Sequence, residues 1–96
     1  MRSIKLMADY QCYPLWEASP GQVGNINPST LPISSDLIAQ LTEWARMYDN
    51  TLNLDDPARS GFKNDEEKSE FKKFGNEIAE RLKNELGFGY ILKTKI

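Results

Sequence analysis

Tyr90-Ile91-Leu92-Lys93-Thr94-Lys95-Ile96 decides the fold. Tyr90, Leu92, Thr94 and Ile96 alternate with Ile91, Lys93 and Lys95, the period of two that buries one face of a strand. A matching alternation opens the chain, where Ile4, Leu6, Ala8 and Tyr10 are interleaved with Lys5, Met7 and Asp9. Two strands alone are marginal in water, but helices packed on them can hold a sheet. The pattern between them predicts two helices.

Helix 1 is expected from about Ser35 to Leu52. Ser34 suits the N-cap, Asp36 lies in the first turn, and Ile33 is placed to staple onto Ile38. Leu37, Leu41, Trp44, Ala45, Tyr48 and Leu52 recur at helical spacing and form one apolar stripe. Asn50, Asn53 and Pro57 then fray and stop it. Helix 2 is expected from about Asp65 to Leu86. Asn64 is a good cap, Asp65, Glu66 and Glu67 crowd the positive end of the dipole, and Gly87 suits the C′ position. Phe71, Phe74, Ile78, Leu82 and Leu86 form its core face. Gly75 weakens the helix by roughly 1 kcal/mol relative to Ala, and close packing against helix 1 is a reason to tolerate it.

The segment from Cys12 to Pro32 holds Pro14, Pro20, Pro28 and Pro32 with Gly21 and Gly24, so it reads as ordered loop with at most a short strand around residues 15–18. Loops this long are usually functional or packed by their own side chains. Tyr13, Leu15, Trp16, Val23 and Ile26 supply apolar material for that. The expectation is a small two-layer α+β domain spanning residues 1–96, in the order β, long loop, α, α, β. Two or three strands pack on two helices, the third strand coming from the Cys12–Ala18 region. An open sheet edge also invites pairing, which would give a homodimer.

The chain has 96 residues, 40% hydrophobic and 27% charged, with a net charge of -2. A chain this short supports one modest core that buries roughly two thirds of the unfolded surface. The slightly negative balance gives no global attraction to nucleic acid. A lone cysteine, Cys12, excludes an internal disulfide and any CxxC metal or redox pair, which fits a cytoplasmic protein. The apolar run at the start is too short for a secretory signal, and no run of about 18 apolar residues predicts a membrane span.

Catalytic chemistry finds little support. There is no histidine, which removes Ser-His-Asp and Cys-His catalysis and the commonest transition-metal ligand. Gly87-Phe88-Gly89 is too short to cradle a phosphate and follows a helix rather than preceding one. Asp49, Thr51, Asn53 and Asp55 alternate as in a calcium loop, but Leu54 replaces the turn glycine and Ser60 the bidentate glutamate. Asp9 and Glu17 would need to converge to act as an acid–base pair, and solvated or salt-bridged carboxylates are the simpler reading. Cys12 reads as a small hydrophobe, having no local basic partner. Neither a cofactor nor a metal is expected, and the chain does not read as an enzyme.

The stretch Trp44 to Phe62 bounds function most firmly. It leaves an amphipathic helix and enters a loop with Asn50, Asn53, Asp55 and Asp56 set beside aromatics. That density serves either as Asx turns satisfying loop backbone or as a polar surface for a partner. From Glu43 to Glu70 eight acids face four bases, a local net of -4. Arg2, Lys5, Lys93 and Lys95 gather on the strands instead. Solvated helix faces and edge-strand lysines explain this pattern plainly; an acidic surface made for a basic cleft explains it more sharply. Tyr13 and Trp16 sit in a Pro/Gly-flanked loop, where aromatics either seal a small core or anchor an interface.

Met7-Ala8-Asp9-Tyr10-Gln11-Cys12-Tyr13-Pro14-Leu15-Trp16, Gly24-Asn25-Ile26-Asn27-Pro28, Leu31-Pro32-Ile33-Ser34, Trp44-Ala45, Tyr48-Asp49-Asn50-Thr51-Leu52-Asn53-Leu54-Asp55-Asp56-Pro57 and Ser60-Gly61-Phe62 resemble a widespread family of small bacterial proteins. The likeness covers the first two thirds of the chain and extends loosely into helix 2. Proteins of this kind are similar to immunity proteins encoded beside antibacterial toxins, including contact-dependent growth inhibition systems. The resemblance implies a partner, a cognate toxin domain such as a nuclease, and brings no catalytic residues with it. The contact set expected on this reading is Tyr13, Trp16, Asp49, Asn53, Asp55, Asp56, Phe62, Glu66 and Glu67. The rival expectation is a small-ligand or regulatory binding module, its pocket formed by the 12–32 loop and the 53–62 turn.

Overall fold

A computed structural model describes residues 2–22, 24–52 and 61–96. Strand β1 (Arg2–Met7) is followed by a short strand β2 (Leu15–Glu17), a 3-10 turn at Pro28–Thr30, helix α1 (Ser35–Asp49), helix α2 (Asp65–Leu86), a second 3-10 turn at Gly87–Gly89 and strand β3 (Tyr90–Lys95). The α+β class and the element order are those the periodicities predict. The third strand does come from the Pro/Gly-rich loop.

The sheet has the order β2-β1-β3. β1 and β2 are antiparallel, with Leu6 opposite Leu15 and Lys5 opposite Trp16. β1 and β3 are parallel, with Ile4 beside Leu92 and Lys5 beside Lys93. Parallel neighbours need a crossover, and here the two helices supply it. Because side chains alternate along a strand, Ile4, Leu6 and Leu15 face the helices, whereas Lys5, Trp16 and Lys93 share the opposite face. Ile4, Leu6 and Leu15 are fully buried there with Leu37, Leu41 and Trp44 of α1 and Ile78 and Leu82 of α2.

Both helix starts are capped as the sequence predicts. Ser34 Oγ accepts from the Leu37 N–H at 3.2 Å, and Asn64 Oδ1 from the Glu67 N–H at 2.8 Å. Helix α1 ends at Asp49, three residues before the expected Leu52. The next turns tighten, with the Thr51 N–H on Tyr48 O and the Leu52 N–H on Asp49 O, both at 3.0 Å. Strand β1 also stops sooner than expected. The Met7 N–H closes on Pro14 O at 3.0 Å, and Gln11 takes a positive φ of 58° between them. That turn consumes Ala8–Tyr10.

The long loop is organised, not loose. Leu15, Ile26 and Leu31 enter the core, while Trp16 is half-buried and Tyr13 exposed. Val23 lies outside the described residues. Asn25 clamps the loop from within: its Oδ1 accepts the Tyr13 N–H at 2.8 Å, and its Nδ2 donates to Tyr13 O and Leu15 O at 2.6 and 2.9 Å. The same residue forms an isolated bridge to Trp16, so this loop runs along the outer edge of β2.

Candidate functional site

The site grows from an aromatic chain at the junction of the two helices. Trp44 stacks on Phe71 with centroids 4.7 Å apart and planes 9° apart. Its indole N–H donates to Phe71 O at 3.0 Å, which satisfies the polar atom of a fully buried ring. Phe71 meets Phe62 at 5.1 Å and Tyr48 at 5.7 Å, and Tyr48 in turn lies 4.6 Å from Tyr10. Thr51 Oγ1 donates to Tyr48 O at 2.6 Å, so in the 2.8 Å contact with Tyr10 the tyrosine hydroxyl is the donor. Burial, then the neighbouring Tyr10 and Asp9, push the Tyr48 hydroxyl above its ordinary pKa, so it stays neutral.

Beside that chain, Met47, Asn50, Phe62, Glu67 and Glu70 line a groove of about 210 Å³. Phe62 and Met47 form an apolar floor and the two glutamates an acidic rim. Asp65, Glu66 and Glu67 occupy the first turn of α2, where the exposed backbone N–H groups favour negative charge. Among the described residues, none of these carboxylates nor Glu70 is in an ion pair. The Gly61 N–H donates to Thr51 O at 2.9 Å, so the chain on either side of residues 53–60 meets next to this groove.

The expected contact residues divide into groups. Phe62 and Glu67 meet at the groove, with Phe62 half-buried against Phe71, while Glu66 stands exposed beside Glu67 in the first turn of α2. Asp49 is half-buried at the end of α1, and its Oδ1 accepts the Gln11 N–H at 2.9 Å; it braces the turn after β1. Asn53, Asp55 and Asp56 lie outside the described residues. Tyr13 and Trp16 go elsewhere. Trp16 lies on the sheet face opposite the helices, its indole N–H fixed to Met7 O at 2.9 Å. Tyr13, 48% exposed, borders a second cleft.

That second cleft, about 290 Å³, lies between the 12–28 loop and α1. Pro14, Pro28, Ile38 and Ala45 give it apolar walls, with Asn27 and Asp49 among its polar groups. Trp16 and Tyr48 do not line it. A wider depression along Ser69, Lys73, Asn76 and Glu80 follows the outward face of α2 alone and encloses nothing.

Two polar clusters were not legible in the sequence. Asn25 is one, since nothing marks it off from neighbouring loop asparagines. The other joins the start of α1 to the end of α2. Glu85 accepts the Ser34 N–H at 2.6 Å and the Ser34 hydroxyl at 3.0 Å, while Arg81 donates to Glu85 at 2.9 Å and to Gln40 at 3.0 Å. The Ser34 N–H bond foremost, helped by its hydroxyl and by Arg81 against some desolvation, holds the Glu85 carboxyl below the usual carboxylate range. Ser34 announces itself as a cap, but its partner 51 positions away does not.

Rings under carboxylates on a rigid two-helix junction make a surface suited to gripping another protein. The chain matches the Serratia CdiI immunity protein-like family over residues 2–93 and belongs to that family. No individually curated protein matches it. Membership supports an immunity role, with a cognate toxin as partner. Among the described residues no helix is long and apolar enough to cross a membrane, and no group of three or more Cys, Asp or Glu side chains is placed to hold a metal ion.

Proposed function

We propose that this protein neutralises a nuclease toxin domain in the cytoplasm by seating the groove at the α1–α2 junction on the toxin's basic catalytic cleft. The observation that carries this reading is the juxtaposition of Glu67 and Glu70 with the half-buried Phe62 ring, on a helix start that already favours negative charge. Glu66, in the same first turn of α2, adds to this charge, and the carboxylates stand in for nucleic-acid phosphates. Carboxylates speed encounter with a cationic cleft, and the apolar floor slows dissociation. The action is binding and masking, and it needs no reaction on this chain. Tyr13 and Trp16 would join the contact only at its margin, since both lie away from the groove.

The test uses the cognate toxin's catalytic domain and the variant Glu67→Gln/Glu70→Gln. Calorimetry and a nuclease protection assay should show affinity falling by about ten- to a hundred-fold, mainly through a slower on-rate that converges with wild type at high salt. Unchanged affinity would move the interface off this groove. A second reading follows from the 290 Å³ cleft, whose polar groups Asn27 and Asp49 face apolar walls suited to a small ligand. Thermal stabilisation by a metabolite, lost in Ala45→Trp but kept in Glu67→Gln/Glu70→Gln, would favour it.

A further inference from the structure

The two edges of the sheet are treated differently. β2 is covered by its own loop: the Glu17 N–H donates to Gly24 O at 2.9 Å, the Ile26 N–H to Leu15 O at 2.8 Å, and Asn25 bridges Trp16. β3 has β1 on one side and, among the described residues, no strand on the other. An open edge offers unpaired backbone groups to any extended chain. Next to it stand two exposed large apolar side chains. Phe88, between Gly87 and Gly89 at the head of β3, is 97% exposed, and Ile91 is 44% exposed.

Charge narrows what can dock there. Ile91, Lys93 and Lys95 lie on the face away from the helices, with Lys5 directly beside Lys93 in register. Like charges on neighbouring strands repel, and no described carboxylate forms an ion pair with any of these lysines. Arg2, at the other end, is already engaged by Glu17. A second copy pairing antiparallel through β3 would gather four lysines on one face of the joined edge. A strand of alternating apolar and acidic residues meets the edge with matching charge, and an apolar residue at its end meets Phe88.

We propose that the open edge of β3 is a docking site for an extended, acidic segment of a partner protein, which adds a fourth strand to the sheet. Main-chain hydrogen bonds hold it, Lys93 and Lys95 select its charge, and Phe88 grips its apolar end. This site is independent of the acidic groove and takes the opposite charge. The lysines disfavour self-pairing, which leaves the edge to a chain of opposite charge.

The experiment titrates the full-length, isotope-labelled chain with a capped peptide of alternating Val and Glu, and with its Val/Lys counterpart. The Val/Glu peptide should shift and protect the amides of Tyr90–Lys95 and bind about ten-fold tighter than Val/Lys. Lys93→Glu/Lys95→Glu should reverse that preference, and Phe88→Ser, at an exposed position, should weaken binding several-fold without altering the fold. Equal affinity for both peptides, or shifts confined to other elements, would overturn the proposal. So would a homodimer formed through these amides without peptide, or a single-stranded oligonucleotide that occupies the face while the Val/Glu peptide does not.

Discussion

Gly75 shows how one missing methyl sets the distance between the helices. A Cβ there would stand 2.9 Å from Trp44 Cζ2, 3.0 Å from Cε2 and 3.1 Å from Ile96 Cγ2. The indole cannot retreat, because it is stacked on Phe71 and hydrogen-bonded to its carbonyl. Gly75→Ala recovers about 1 kcal/mol of helix propensity but overpacks a rigid ring at about 1–3 kcal/mol. Chemical denaturation should show a net loss of stability, and Trp44 fluorescence should change with it. At Glu85 the folded-state pKa lies below the ordinary value of 4.5, so its contribution is fully present above that value and fades as pH falls through the lowered one. The protection factor of the Ser34 amide, whose N–H Glu85 accepts, should therefore fall in acid. Glu85→Gln should show faster exchange already at neutral pH and lose most of that acid dependence.

Among the elements, the long loop depends most on a single side chain. Asn25→Ala removes three hydrogen bonds to backbone at Tyr13 and Leu15 and should cost about 1–3 kcal/mol. Hydrogen exchange should report it as lost protection at Tyr13 and Ile26, with α2 unchanged. Periodicity revealed α2 to the residue, because cap, acidic first turn, apolar stripe and terminal glycine all agree there. The end of α1 was less legible. Leu52 continues the stripe, yet Thr51 turns its hydroxyl onto Tyr48 O and the chain leaves the helix at Asp49. The end of β1 was hidden too, since Ala8 and Tyr10 fit the alternation while Gln11 and Pro14 close the turn. A side-chain pattern carries no record of where backbone hydrogen bonds change partner.

For the molecule as a whole, the candidate site was legible in kind and only partly in place. Charge counting points to the Glu43–Glu70 region, and within it Glu67, Glu70 and Phe62 line one groove. The same counting could not separate Asp49, spent on a backbone N–H, from carboxylates that face outward. Nor could it reveal that Tyr13 and Trp16 point to different surfaces, because β2 is too short for its period to declare itself. The molecule carries acid at the helix junction and base on the open sheet face. Raising salt should weaken toxin binding and acidic-peptide binding alike, whereas Glu67→Gln/Glu70→Gln should affect only the first.

The parallel pairing of β1 with β3 also has a consequence in time. Arg2 finds Tyr90 as its neighbour, so the middle strand of the sheet is made before the other described elements and its partner after them. On the ribosome β1 can meet β2 early, but the crossover cannot close until α2 and β3 have both emerged. Contacts so distant along the chain slow folding, since the loop must be drawn shut before they repay it. A newly translated copy therefore lacks its finished sheet until β3 has left the ribosome, and any binding that needs that sheet waits for it.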